Sequence, residues 1–181
     1  MITAPPFLLS KASLEDSQRK NIALITENGR FTYEDIQRAA FSLARTIQSQ
    51  IGSRYSSLVG ERISILAPNE ESYLIALQAS WLLGAIAVPL CVTHPPAQLE
   101  YYMTDSASCL LLAHTSLASL ARSALQLCPA DSATRTDSLV FSREHYAHNA
   151  GELFEPSTEA GALDRTALLI YTSGSTGKPK V

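Results

Sequence analysis

The segment Tyr171-Thr172-Ser173-Gly174-Ser175-Thr176-Gly177-Lys178-Pro179-Lys180-Val181 gathers hydroxyl, glycine and lysine residues, the groups that hold a polyphosphate. Thr172, Ser173, Ser175 and Thr176 offer hydroxyl donors. Gly174 and Gly177 lack a Cβ and tolerate positive φ, so backbone N–H groups there can turn toward an anion and approach it closely. Lys178 and Lys180 add positive charge, and Pro179 between them opposes a helix through this point. The Walker pattern GxxxxGK[ST] is absent, which argues against a P-loop kinase or GTPase. Composition alone also describes a flexible linker. The ligand-loop reading is favoured by the apolar run Ala167-Leu168-Leu169-Ile170, which leads directly into the segment. Open parallel sheets collect their ligands at the carboxyl ends of such strands.

The elements that must position this loop follow from periodicity. Ile36, Ala40, Leu43 and Ile47 share one helical face, and Thr32 with Asp35 has the form of a capping box, which starts that helix near Tyr33. Arg62 to Ala67 alternates as a strand, Pro68-Asn69 breaks it, and Asn69 is the expected cap of an apolar helix from Glu70 to Leu83 that Gly84 stops. Ala85 to Val88 reads as a buried strand, and Pro95-Pro96 open a helix carrying Leu99, Tyr102 and Met103. Cys109 to Ala113 suits a strand covered on both faces, followed by Leu117, Leu120, Ala124 and Leu127 at helical spacing. Between Cys128 and Arg165 the pattern weakens to a long surface excursion with one strand candidate, Leu139 to Phe141; Thr166 to Tyr171 then forms a final apolar strand. Strands alternating with helices predict an α/β fold with a mainly parallel sheet and flanking helices, without internal repeats.

The loop from Tyr171 to Lys180 resembles the signature loop of the AMP-forming adenylating enzymes, a family that includes acyl-CoA synthetases, luciferases and peptide-synthetase adenylation domains. Thr32-Tyr33, Pro68-Asn69, Gly84-Ala85, Val88-Pro89-Leu90 and the helix from Leu99 to Asp105 agree with it in order and spacing, so the resemblance covers nearly the whole chain. It implies a reaction in which a carboxylate attacks the α-phosphate of Mg·ATP to give an acyl-adenylate, and a thiol, usually coenzyme A, then displaces AMP. ATP, Mg²⁺ and coenzyme A are the implied cofactors, and a small carboxylic acid the implied substrate. By position, Thr172, Ser173, Ser175 and Thr176 would donate to the β- and γ-phosphates, Gly174 and Gly177 would allow close approach, Lys178 would add charge, and Lys180 would be the basic residue of the motif. The segment His94-Pro95-Pro96-Ala97-Gln98-Leu99-Glu100-Tyr101 is similar to acyl-CoA synthetases, with the malonate-type branch as one candidate subtype.

The family's motif continues with glycine where Val181 stands, and its adenine, ribose and Mg²⁺ segments and its C-terminal lid follow that point. Residues 1–181 are therefore read as a partial N-terminal AMP-binding domain without the lid, inactive alone; the alternative is a non-catalytic remnant or interaction protein that keeps the fold. An edge left open at the last strand would favour association.

A net charge of −3 provides no basic field for nucleic acid or anionic lipid. Cys91, Cys109 and Cys128 lack CxxC spacing, so a disulfide framework and a zinc site are both disfavoured. The amino terminus reads as neither a signal nor a transit peptide, and Trp81 to Val92 is too short and interrupted to span a bilayer. The expected address is cytoplasmic, with mitochondrial or peroxisomal residence also compatible. His145 and His148 suit a surface loop better than a metal site. Glu70-Glu71 and Glu15-Asp16 suit helix starts or solvated surface, and Trp81, Tyr101 and Tyr102 suit packing.

Overall fold

The computed structural model describes residues 16–52, 54–129, 136–147 and 165–172. A short helix α1 (Asp16–Arg19) precedes an antiparallel hairpin of β1 (Ile22–Thr26) and β2 (Gly29–Thr32). Helix α2 (Tyr33–Ile51) starts at the expected capping box: the Asp35 N–H donates to Thr32 Oγ1 at 3.1 Å and the Thr32 N–H to Asp35 Oδ2 at 2.8 Å. The order then runs β3 (Arg62–Leu66), α3 (Glu71–Leu82), β4 (Ile86–Pro89), α4 (Pro96–Asp105), β5 (Leu110–His114), a 3₁₀ turn (Thr115–Leu117), α5 (Ala118–Leu125), β6 (Asp137–Phe141) and α6 (Glu144–Ala147).

Strands β3 to β6 form a four-stranded sheet in the order β4-β3-β5-β6, parallel at every pairing, as the alternation of elements predicts. Side chains alternate between its faces with the period of two that a pleated strand imposes. Ile63, Ile65, Leu110, Leu112, Leu139 and Phe141 pack under α2 and α3, joined there by Tyr146 of α6. Leu66, Leu90, Leu111 and Ala113 pack under α4 and α5, against Leu99, Tyr102, Met103, Ala121 and Ala124. Both faces are thereby covered, the condition a parallel sheet requires. Among the described residues no helix is long and apolar enough to cross a membrane.

Local chemistry ends each helix at the right place. Gly84 has φ +72°, and the Gly84 and Ala85 N–H groups return to the Trp81 and Ser80 carbonyls, which closes α3 and turns the chain into β4. A Cβ at Gly84 would also stand 2.9 Å from Val59 Cγ2. At the end of α4, the Arg62 guanidinium donates to the Ser106 and Ala107 carbonyls at 2.9 and 2.8 Å, a cation on the negative end of the helix. Beneath it, Ser64, Ser106 and Ser108 share buried hydroxyl contacts of 2.7 and 2.8 Å, so polar groups inside the sheet face are satisfied.

Several expectations are corrected. The cap of α3 is Glu70 rather than Asn69, and it makes no side-chain capping bond. Helix α5 ends at Leu125, leaving Leu127 53% exposed, because the Leu127 N–H already closes a tight turn onto Ala124. The excursion after Cys128 is not wholly superficial: β6 pairs with β5, and Phe141 is fully buried. Glu71 opens its helix as expected, yet it is only 3% exposed and not solvated. Thr26 Oγ1 and Asn28 Nδ2 donate to its carboxylate at 3.1 Å, tying the hairpin to α3. His148 lies outside the described residues, as does Glu15; the His145 ring accepts the Ser142 N–H at 3.1 Å.

Leu112→Ala, which empties a fully buried position in the middle of the sheet, is expected to cost about 2–5 kcal/mol of unfolding free energy. Thr32→Ala, which removes only the cap, is expected to cost about 1 kcal/mol. Urea denaturation followed by circular dichroism reads both, and equal losses would contradict the assignment of the core.

Candidate functional site

Residues 165–172 run along the outer side of β4. The Ala87 N–H donates to the Ala167 carbonyl at 3.0 Å and the Leu169 N–H to the Ala87 carbonyl at 2.9 Å, a parallel bridge centred on Leu168. Where the sequence predicts a continuous final strand from Thr166 to Tyr171, the segment instead meets β4 at this isolated parallel bridge. Four residues beyond the paired positions come Cys91 on one side and Thr172 on the other. Thr172 is exposed and leaves the sheet at its carboxyl end. Ser173, Gly174, Ser175, Thr176, Gly177, Lys178 and Lys180 lie outside the described residues.

Two side-chain anchors hold this segment from opposite faces. Trp81, from α3, donates its indole Nε1–H to the Ala167 carbonyl at 2.7 Å, so the residue expected to serve packing also makes a directional bond. On the other face, the Tyr171 ring lies 4.5 Å from the Tyr102 ring and 6.4 Å, edge-on, from Tyr101. Its hydroxyl donates to Asp105 Oδ2 at 2.6 Å. Burial first, then the Asp105 carboxylate, pushes the Tyr171 phenol up from its ordinary value, so at neutral pH it remains a protonated donor. No sequence signal marked Asp105, because its role depends on the end of α4 meeting a segment 66 residues further along.

Around the same end of the sheet stand His114, which closes β5, and Glu70 and Glu71, which open α3. Burial lowers the proton affinity of His114, and the two carboxylates oppose that shift. Its Nδ1 lies 2.8 Å from Ser116 Oγ. The crossover from β3 to β4 and the one from β4 back to β5 use helices on opposite faces, so the crevice between β3 and β5 is the sheet's topological switch point. Among the described residues no three His, Cys, Asp or Glu side chains are grouped to hold a metal ion.

The cysteines differ sharply. Cys91 is exposed beyond β4, and the Thr93 hydroxyl, 3.1 Å away, lowers its thiol from the ordinary value with help from neighbouring backbone N–H groups. Burial pushes Cys109 up to about 12 and also raises the half-buried Cys128. Iodoacetamide at neutral pH is therefore expected to alkylate Cys91 well before the other two, as peptide mass spectrometry would show; equal rates would contradict the described packing.

A parallel sheet covered by helices on both faces, with its switch point between β3 and β5, defines the doubly wound α/β class of fold. The chain belongs to the AMP-binding enzyme family, whose profile matches residues 12–181. It is 35% identical over 161 residues to the mitochondrial malonate–CoA ligase ACSF3 of Xenopus laevis, covering 87% of this chain and 27% of that protein. It is 33% identical over 183 residues to the 2-succinylbenzoate–CoA ligase of Bacillus velezensis, covering 99% of this chain and 33% of the relative. The o-succinylbenzoate coenzyme A synthetase of Bacillus subtilis, solved in complex with AMP, superposes with a TM-score of 0.67 at 26% identity, over 97% of this chain and 41% of that one. The chain thus spans about a quarter to a third of the length of these curated relatives.

Proposed function

We propose that this chain supplies the ATP-phosphate-binding N-terminal part of an AMP-forming acid–thiol ligase. In the whole enzyme a carboxylate oxygen attacks the α-phosphorus of ATP, the bond to the bridging oxygen breaks, and pyrophosphate leaves. The coenzyme A thiol then attacks the acyl carbon and AMP departs. The observation that carries this reading is the delivery of Thr172, the first hydroxyl residue of the loop motif, at the carboxyl end of a parallel sheet in a chain of this family.

Within it, Thr172, Ser173, Ser175 and Thr176 donate to the β- and γ-phosphates, Gly174 and Gly177 admit the backbone, and Lys178 and Lys180 neutralise charge. These are positioning and electrostatic contributions, which act without covalent chemistry. Mg²⁺ enters as the companion of the nucleotide, as the family resemblance implies. The similarity to malonate–CoA ligases favours a small dicarboxylic acid as the substrate of the whole enzyme. Residues 1–181 act as a partial AMP-binding domain that does not complete the reaction alone. The cytoplasm is the simplest address from sequence, and the mitochondrion is the one carried in the name of ACSF3.

Isothermal titration of the 181-residue chain with Mg·ATP tests the loop directly. Saturable binding is expected, weakened by about tenfold or more in the Lys178→Ala/Lys180→Ala variant, since each lysine supplies a charge-assisted hydrogen bond to phosphate. Absence of saturation into the millimolar range would favour a non-catalytic remnant that retains the fold.

A further inference from the structure

The chain reaches the loop motif through Tyr171, whose side chain is tied to the end of α4. We propose that Asp105 and Tyr171 are positioning residues for the phosphate loop, a clamp that fixes where the chain leaves the sheet; the link to nucleotide affinity rests on the function proposed above.

The clamp is built in layers. Arg62, from β3, holds the Ser106 and Ala107 carbonyls, and the Ser64–Ser108–Ser106 hydroxyls lie under the same turn, so the end of α4 is fixed to the sheet. That fixes Asp105, its last helical residue. Asp105 in turn receives the Tyr171 hydroxyl at 2.6 Å, a short bond to a charged acceptor and so of the stronger kind. The Tyr102 ring against Tyr171 settles the plane in which that hydroxyl points. Thr172 follows immediately, which leaves no intervening residue to absorb a displacement. The upstream end is held separately by Trp81 on the Ala167 carbonyl, so losing the Tyr171 bond loosens the bridge to β4 from its downstream side, where the Leu169 amide donates, while Ala167 stays anchored.

The bond requires an acceptor at position 105 but not a charge. Asp105→Asn keeps an oxygen that can accept the phenol, whereas Asp105→Ala and Tyr171→Phe abolish the hydrogen bond. Proton exchange at the Leu169 amide, which donates to Ala87, and at the indole of the chain's single tryptophan reads the docking of the segment without any ligand. NMR on the full chain is expected to show exchange at Leu169 at least about fivefold faster in Tyr171→Phe and Asp105→Ala, and close to wild type in Asp105→Asn. Amides of β5 serve as the control for global folding and are expected to hold their wild-type rates. Wild-type exchange at Leu169 in both disruptive variants, or failure of Asp105→Asn to rescue, would overturn the clamp.

Mg·ATP titration of the same variants separates this proposal from the functional reading. If the wild type binds and the two disruptive variants bind at least about fivefold more weakly, with Asp105→Asn restored, both stand. If the wild type binds and Tyr171→Phe binds equally well, the positioning role fails while the nucleotide site survives. If the wild type does not bind, the function fails, and the exchange rates still decide whether the clamp sets the exit of the chain.

Discussion

A parallel sheet must be covered on both faces, and this single requirement orders the molecule. Side chains of β3 and β5 alternate between two helical layers, so each strand must be buried on both sides: Leu110 to Ala113 is apolar throughout, and in Ile63 to Leu66 the single polar residue, Ser64, is satisfied by the Ser108 hydroxyl. Coverage on both faces demands crossovers on both sides, α3 on one and α4 and α5 on the other, and parallel crossovers bring every strand end that leads into a helix to the same edge of the sheet. Pro68, Cys91, His114 and Thr172 consequently lie toward one edge, although they are scattered along the sequence. The edge at which the chain reaches Thr172 is a consequence of how the core is closed.

That arrangement separates two kinds of work. The apolar layers supply stability through area removed from water, with little regard to exact geometry. Position comes instead from a small number of directional bonds. Arg62 on the end of α4, Asn28 on Glu71, Trp81 on Ala167 and Tyr171 on Asp105 each tie one element to another at 2.6–3.2 Å. Such bonds add modestly to net stability, about 1 kcal/mol for a typical neutral one, but they define where loops begin. A loop that handles phosphate by preorganised donors gains from a fixed root more than from a deeper core.

The fold was largely legible in the sequence because its signals are local or periodic. Thr32 and Asp35 announced α2, Gly84 ended α3, Pro95 and Pro96 opened α4, and the apolar strands were visible as runs. The antiparallel hairpin went unread although Asn28-Gly29 after Ile22–Thr26 is a turn signal, and α1 and α6 are too short to show a period. Burial of Glu71 could not be read, since it depends on the hairpin folding back onto α3 across 43 residues. The candidate site divides in the same way. Its loop residues are proposed from type and spacing, while the anchors at Asp105 and Trp81 exist only through tertiary contact.

In the function proposed above, a nucleotide's phosphates are met at the carboxyl edge of this sheet, at the exit of Tyr171. Amide chemical-shift mapping of the full chain during a Mg·ATP titration tests it residue by residue. Progressive, saturable shifts are expected at the amides from Thr172 to Lys178 and at Lys180, the glycines among them, with the β1–β2 hairpin unmoved. Shifts confined to the hairpin or to the opposite edge of the sheet, with the loop amides unchanged, would contradict it.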